Sequence, residues 1–154
     1  MPKLSQKTCD YRRAKMRKVM DDLQLDALIF TSADFFQFAT TFHTDVQPLE
    51  PTIFAIFPRN GEPCLVMKEL ATKHVRFSIE QVKLWVQDIV FYAEHPKVVD
   101  RLPLITQVHE LLAACLVKSG LQRARIGVES LTGALSAAQK ILPGLQLRPC
   151  LAEL

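Results

Sequence analysis

The sequence lacks the features that mark several broad classes of protein. No run approaches the roughly 18 apolar residues that a membrane span requires. The opening MPKLSQKTCDYRR has no apolar stretch behind its basic residues, so a secretory leader is not signalled either. The four cysteines, Cys9, Cys64, Cys115 and Cys150, lie far apart with no CxxC pair, which argues against a zinc ribbon or a redox dithiol. Free thiols are the expectation, and with them a cytoplasmic setting. There is no GxGxxG or GxxxxGK loop to cradle phosphate, no GxSxG elbow to present a serine, and no HExxH or HxD pair on a helix to hold a metal. Internal repeats and low-complexity segments are absent as well.

What is present suits one globular domain spanning residues 1–154. With 49% hydrophobic and 23% charged residues the chain is far from the depleted, highly charged profile of disorder. The formal net charge is only +3, yet seven of the nineteen basic residues fall early: Lys3, Lys7, Arg12, Arg13, Lys15, Arg17 and Lys18. Tyr11 is the one aromatic among them, so a solvated or partner-facing helix face is favoured over contact with nucleic acid or a membrane.

Apolar spacing gives the elements. Met16, Val19, Met20 and Leu23 form one stripe of a first helix, with Thr8 or Asp10 as its expected N-cap. Leu25 to Phe30 is too short for a second helix and reads as a buried strand. Ser32 and Asp34 head a short helix through Phe35, Phe36 and Phe38, and residues 40–51, with two prolines, read as a loop. Thr52 to Phe57 and Cys64 to Met67 form a hairpin, Asn60 and Gly61 being expected to supply positive φ angles. Leu70, Ala71, His74, Val75 and Ser78 follow helical spacing, and Val82 to Val86, with Trp85, reads as a strand followed by a loop through His95 and Pro96. Leu104 to Leu116 is the strongest helix, with Gly120 as its stop. Arg125 to Glu129 is a strand, Ser136 to Leu142 a helix, and Leu145 to Leu147 a last strand. Alternating helices and strands with an internal hairpin predict an α/β fold of three layers, α/β/α, around a mixed sheet of five to six strands.

Several of these segments, in order, resemble the N-terminal domain shared by creatinases, prolidases (Xaa-Pro dipeptidases) and aminopeptidases P, over nearly the whole chain. They are the basic first helix leading to LDALIF, the stretch FATTF at Phe38 to Phe42 where the family often has a YLTGF-like run, the PRNGEP reversal, RIGVE at Arg125 to Glu129, and the final LAEL. RIGVE is the most specific. Thr41 stands where the family usually has glycine, and Ala39 where a larger apolar residue is usual. The resemblance implies a fold likened to ribonuclease H, a homodimer, and a second domain of pita-bread fold after the last strand. That domain would carry two divalent ions (Mn, Co or Zn) on Asp, Asp, His, Glu and Glu ligands and would lie outside residues 1–154. It also implies that Phe42, His43, Thr44 and Asp45 belong to a loop near the partner subunit's active site.

The residues themselves supply little chemistry. Binuclear hydrolysis needs carboxylates and imidazole converging on two cations, and the sixteen acids are spread along the chain, with His43 and Asp45 the nearest approach to a pair. The expected strands 27–30, 53–57, 64–67 and 126–128 contain no acid, against a nuclease centre, and Asp26 and Glu129, which flank strands, suit capping roles. Cys64 and Cys115 lie in apolar patterns where thiols are inert. The expectation is therefore an accessory, non-catalytic domain of a metallopeptidase-like hydrolase, binding neither nucleic acid nor membrane. A free-standing binding or assembly module stays open as the alternative.

Overall fold

In the computed structural model, which describes residues 5–43, 53–81, 84–92 and 108–154, helix α1 (Gln6–Asp22) opens at Ser5. The Ser5 hydroxyl accepts from the Thr8 amide at 3.2 Å and pairs with the Thr8 hydroxyl at 2.8 Å. The cap is thus Ser5 and not Thr8 or Asp10, because Thr8 is already the third helical residue. The helix ends at a positive φ on Gln24, and strand β1 (Ala27–Phe30) follows.

Helix α2 (Ala33–Thr40) is headed by Ser32, as expected, and takes Thr40 as its last residue, so the loop begins one residue later than the prolines suggested. Strands β2 (Phe54–Pro58) and β3 (Cys64–Lys68) are antiparallel, with Ile56 opposite Cys64. Their reversal is wide, and Gly61, at φ +128, is the positive-φ residue in it; Asn60 is not. Helix α3 (Thr72–Glu80) follows a single tight turn at Glu69–Ala71.

The expected strand at 82–86 is not formed over Leu84 to Val86; residues 82 and 83 lie outside the described residues. Leu84 and Val86 are buried packing residues, 2% and 1% exposed, without strand pairing. The strand is β4 (Asp88–Tyr92), parallel to β3 from Cys64 opposite Asp88 to Lys68 opposite Tyr92. Helix α4 (Val108–Lys118) runs two residues past Leu116, and Gly120 stops it at φ +72. Its expected start at 104–107, and the loop at His95 and Pro96, fall outside the described residues.

Strand β5 (Arg125–Val128) lies where expected. Helix α5 (Gly133–Ile141) starts three residues before Ser136, because the Thr132 hydroxyl caps the Leu135 amide. Strand β6 (Gln146–Pro149) runs two residues beyond Leu147. The sheet is mixed and six-stranded, in the order β4-β3-β2-β1-β5-β6. Strand β1 sits at its centre, antiparallel to β2 and parallel to β5.

Strand side chains alternate between faces, which divides the core in two. Ala27, Ile29, Ile56, Val66 and Ile126 pack under α4 and α5. Leu28, Phe30, Ala55, Leu65 and Met67 pack under α1, α2 and α3. This is the three-layer α/β/α arrangement that the element order predicted. β1 is buried throughout, as a central strand covered on both faces must be.

Candidate functional site

The RIGVE segment fixes the middle of the sheet. The Asp26 carboxylate accepts the Arg125 amide at 2.7 Å, and the Asp26 amide donates to the Arg125 carbonyl at 2.7 Å, which sets the register of β1 on β5. A Cβ on Gly127 would stand 2.7 Å from methyl carbons of both Leu25 and Leu28 and 2.9 Å from the Cys150 sulfur, so any larger residue there would have to push these three side chains aside. Glu129, 7% exposed, accepts the Thr31 amide at 2.9 Å and the Ser32 amide at 3.0 Å. Its carboxylate therefore ties the end of β5 to the start of α2, where helix amides leave positive charge unpaired. Both acids have the capping roles expected of them.

Helix α2 leads to the residues singled out by position. The Trp85 indole donates to the Ala39 carbonyl at 3.0 Å, satisfying one of the orphan carbonyls in the last turn. Thr41 then turns the chain at φ +67, a left-handed conformation uncommon for a β-branched residue, and its amide reaches the Gln37 carbonyl at 2.8 Å. Phe42 points inward: it is 6% exposed, packs in the core beneath α1 to α3, and its amide donates to the Thr40 hydroxyl at 3.0 Å. His43 is exposed, its Nδ1 3.1 Å from Gln37 Oε1. Thr44 and Asp45 lie outside the described residues, so the pairing of His43 with Asp45 does too.

Among the described residues no group of three or more His, Cys, Asp or Glu is placed to hold a metal ion. Strand β4 adds one strand acid that the sequence pattern did not place, Asp88, and it is held by Lys118 of α4 at 2.8 Å. That hydrogen bond raises the Lys118 ammonium above its usual range. All four cysteines are free and buried. Cys64 lies against Cys115, and the hydrogen bond between the two thiols, with burial, pushes Cys64 up. Burial likewise raises Cys9 and Cys150. The same hydrogen bond from Cys64 lowers Cys115, whereas the raised Cys9, Cys64 and Cys150 are protonated packing groups at neutral pH.

The basic first helix meets aromatic rings that its own sequence does not contain. The Arg13 guanidinium lies 4.5 Å from the Trp85 ring centre and that of Arg12 lies 5.3 Å from the Phe38 ring centre. These pairs come from separate elements, so no local pattern announces them.

Comparison with solved structures agrees with the fold. A prolidase from Thermococcus sibiricus is similar with a TM-score of 0.67 at 13% identity, over 91% of this chain and 34% of that one. The Creatinase/Prolidase N-terminal domain of an X-Pro dipeptidase from Streptococcus pyogenes gives 0.62 at 18% identity, over 90% of this chain and 92% of that one. An Xaa-Pro dipeptidase from Bacillus anthracis gives 0.64 at 11% identity, over 94% and 34%. The chain thus spans about a third of the Thermococcus sibiricus and Bacillus anthracis proteins and nearly all of the Streptococcus pyogenes chain, which is itself an N-terminal domain. No curated protein matches it. No helix among the described residues is long and apolar enough to cross a membrane. Residues 12–154 match the Creatinase/Prolidase N-terminal domain, and the chain belongs to that family.

Proposed function

We propose that this chain acts as the accessory, non-catalytic N-terminal domain of a metal-dependent hydrolase of the Xaa-Pro dipeptidase or creatinase kind. The observation that carries the reading is the family match over residues 12–154, together with solved prolidases of which the chain covers only about a third. In this reading a second, pita-bread domain holds two divalent ions (Mn, Co or Zn) and performs the hydrolysis. This domain contributes homodimer contacts in the cytoplasm and brings Phe42, His43, Thr44 and Asp45 close to the partner subunit's active site. Phe42, packed in the core, would anchor the loop, leaving His43 and Asp45 to meet the substrate's carboxylate and amine.

The test is kinetic. The natural gene product containing these residues should hydrolyse an Xaa-Pro dipeptide with added Mn or Co, while residues 1–154 alone should not. Replacing His43 and Asp45 by alanine should raise KM more than it lowers kcat. Chelator-sensitive hydrolysis by residues 1–154 alone would overturn the reading, and unchanged kinetics in the double variant would remove the loop from it.

A further inference from the structure

Asn60 is the only asparagine in the chain, and glycine follows it; no aspartate precedes a glycine. The fold displays this pair at the tip of the β2–β3 reversal. Both strands are buried over four of their five residues, whereas Asn60, Gly61 and Glu62 between them are exposed. The reversal is held on either side. The Arg59 amide donates to the Asp26 carbonyl at 2.7 Å, and its guanidinium donates to the Leu25 and Met20 carbonyls at 2.9 and 2.7 Å. Pro63 is buried at the other end. Between these anchors neither the Asn60 side chain nor the Gly61 amide has a hydrogen-bond partner among the described residues. Gly61 lies at φ +128, and apart from its chain neighbours a Cβ there would meet nothing nearer than Pro58 at 3.8 Å.

We propose that Asn60 is a site of spontaneous deamidation, through which the reversal acquires an isoaspartyl linkage. The Gly61 nitrogen, having given its proton to hydroxide, attacks the carbonyl carbon of the Asn60 side chain. A new bond to that carbon forms, its bond to the side-chain nitrogen breaks, and ammonia leaves with a proton taken from water. The five-membered imide then takes up water at either carbonyl. Opening at the side-chain carbonyl gives aspartate; opening at the main-chain carbonyl routes the backbone through the side chain and frees the α-carboxylate. The sum is amide and water giving acid and ammonia. Glycine permits the attack because no side chain shields its nitrogen, and an exposed loop tip leaves the ring free to close. A glutamine at the same place would need a six-membered ring, which closes more slowly. The change lowers the formal net charge of +3 by one. It sets a carboxylate beside Glu62, which lies 3.7 Å from Arg13, and inserts a methylene next to the residue that clamps the end of α1.

The experiment ages the folded chain at neutral and mildly alkaline pH beside a blocked Arg-Asn-Gly-Glu peptide, and maps tryptic fragments by mass spectrometry. Isoaspartate is read by methyl transfer from S-adenosylmethionine with an isoaspartyl methyltransferase. Aspartate and isoaspartate should both appear at position 60, faster as pH rises, with a more acidic band in isoelectric focusing. The rate should lie within about tenfold of the peptide's, the factor that about 1.4 kcal/mol of extra barrier would impose. Asn60→Gln, an exposed substitution whose fold is checked by circular dichroism, should abolish the methyl acceptor. The proposal is overturned if Asn60 stays intact while the peptide is consumed, if isoaspartate appears only after unfolding in urea, or if aspartate forms without isoaspartate. A methyl acceptor persisting in Asn60→Gln would overturn it equally.

Discussion

The carboxylate of Glu129 holds the amide of Ser32 at 3.0 Å, joining two residues 97 positions apart, and with Thr31 at 2.9 Å it receives two backbone donors in a nearly dry setting. Replacing Glu129 by Gln removes the charge and one of the two acceptors. The expected cost is about 2 kcal/mol, since hydrogen bonds to a charged group contribute about 1.5–3 kcal/mol and an amide left unpaired adds to the loss. The urea midpoint measures it; a change below about 0.5 kcal/mol would show that the tie is incidental.

Trp85 closes the other end of α2 through the Ala39 carbonyl. Trp85→Phe keeps a ring against Phe57, whose centre is 5.6 Å away, and beneath Arg13, but loses the indole donor. A loss of about 1 kcal/mol is expected, a typical net value for one hydrogen bond. Thermal unfolding followed by circular dichroism would read it, and an unshifted transition would count against the cap.

Thr41 occupies a backbone conformation suited to glycine. Left-handed geometry costs an L-residue about 1–2 kcal/mol, while glycine gives back about 0.4–1 kcal/mol through a looser unfolded chain. Thr41→Gly should therefore stabilise the domain by up to about 1 kcal/mol. A lower melting temperature in this variant would show that the Thr41 hydroxyl, which bonds to the Thr40 carbonyl, outweighs the strain.

The thiols of Cys9, Cys64 and Cys150 are raised above their ordinary value of 9.0. Below that pH folded and unfolded chains hold these protons alike. Above it the unfolded chain releases them first, so stability is whole at neutral pH and falls as pH rises. The urea midpoint should hold near neutral pH and drop as pH passes about 9, less so in Cys64→Ala. At neutral pH iodoacetamide should label all four cysteines only after unfolding, as mass spectrometry would show; labelling of the folded chain would contradict the burial.

Much of the fold was legible because the central strands advertise themselves. Leu25 to Phe30 and Arg125 to Val128 are short apolar runs bounded by polar residues, and a strand buried on both faces has no other way to read. Strand β4 was not legible. Leu84, Trp85 and Val86 look more strand-like than Asp88 to Tyr92, yet they are used for packing, while β4 is a half-exposed edge whose place is set by pairing with β3. The start of α5 escaped because Gly133 is a poor helix former and the helix rests on the Thr132 cap. Of the segment singled out by resemblance, Phe42 proved to be a core residue, which the run of apolar residues before it already hinted. The contact of Arg13 with Trp85 joins a helix to a distant connection, and no spacing within either could reveal it.

The central position of β1 imposes an order on synthesis. Its partner on one side, β2, arrives soon after it, but its partner on the other, β5, pairs Ile126 with Ala27 and leaves the ribosome about a hundred residues later. Until then the nascent chain carries an open strand edge, with the Ala27 and Ile29 face lacking its α4 and α5 cover. We predict that a chain ending before Arg125 sediments as aggregate, a monomeric folded fragment being the contrary result. The last strands thus act as a latch that turns a sticky half-sheet into a finished domain.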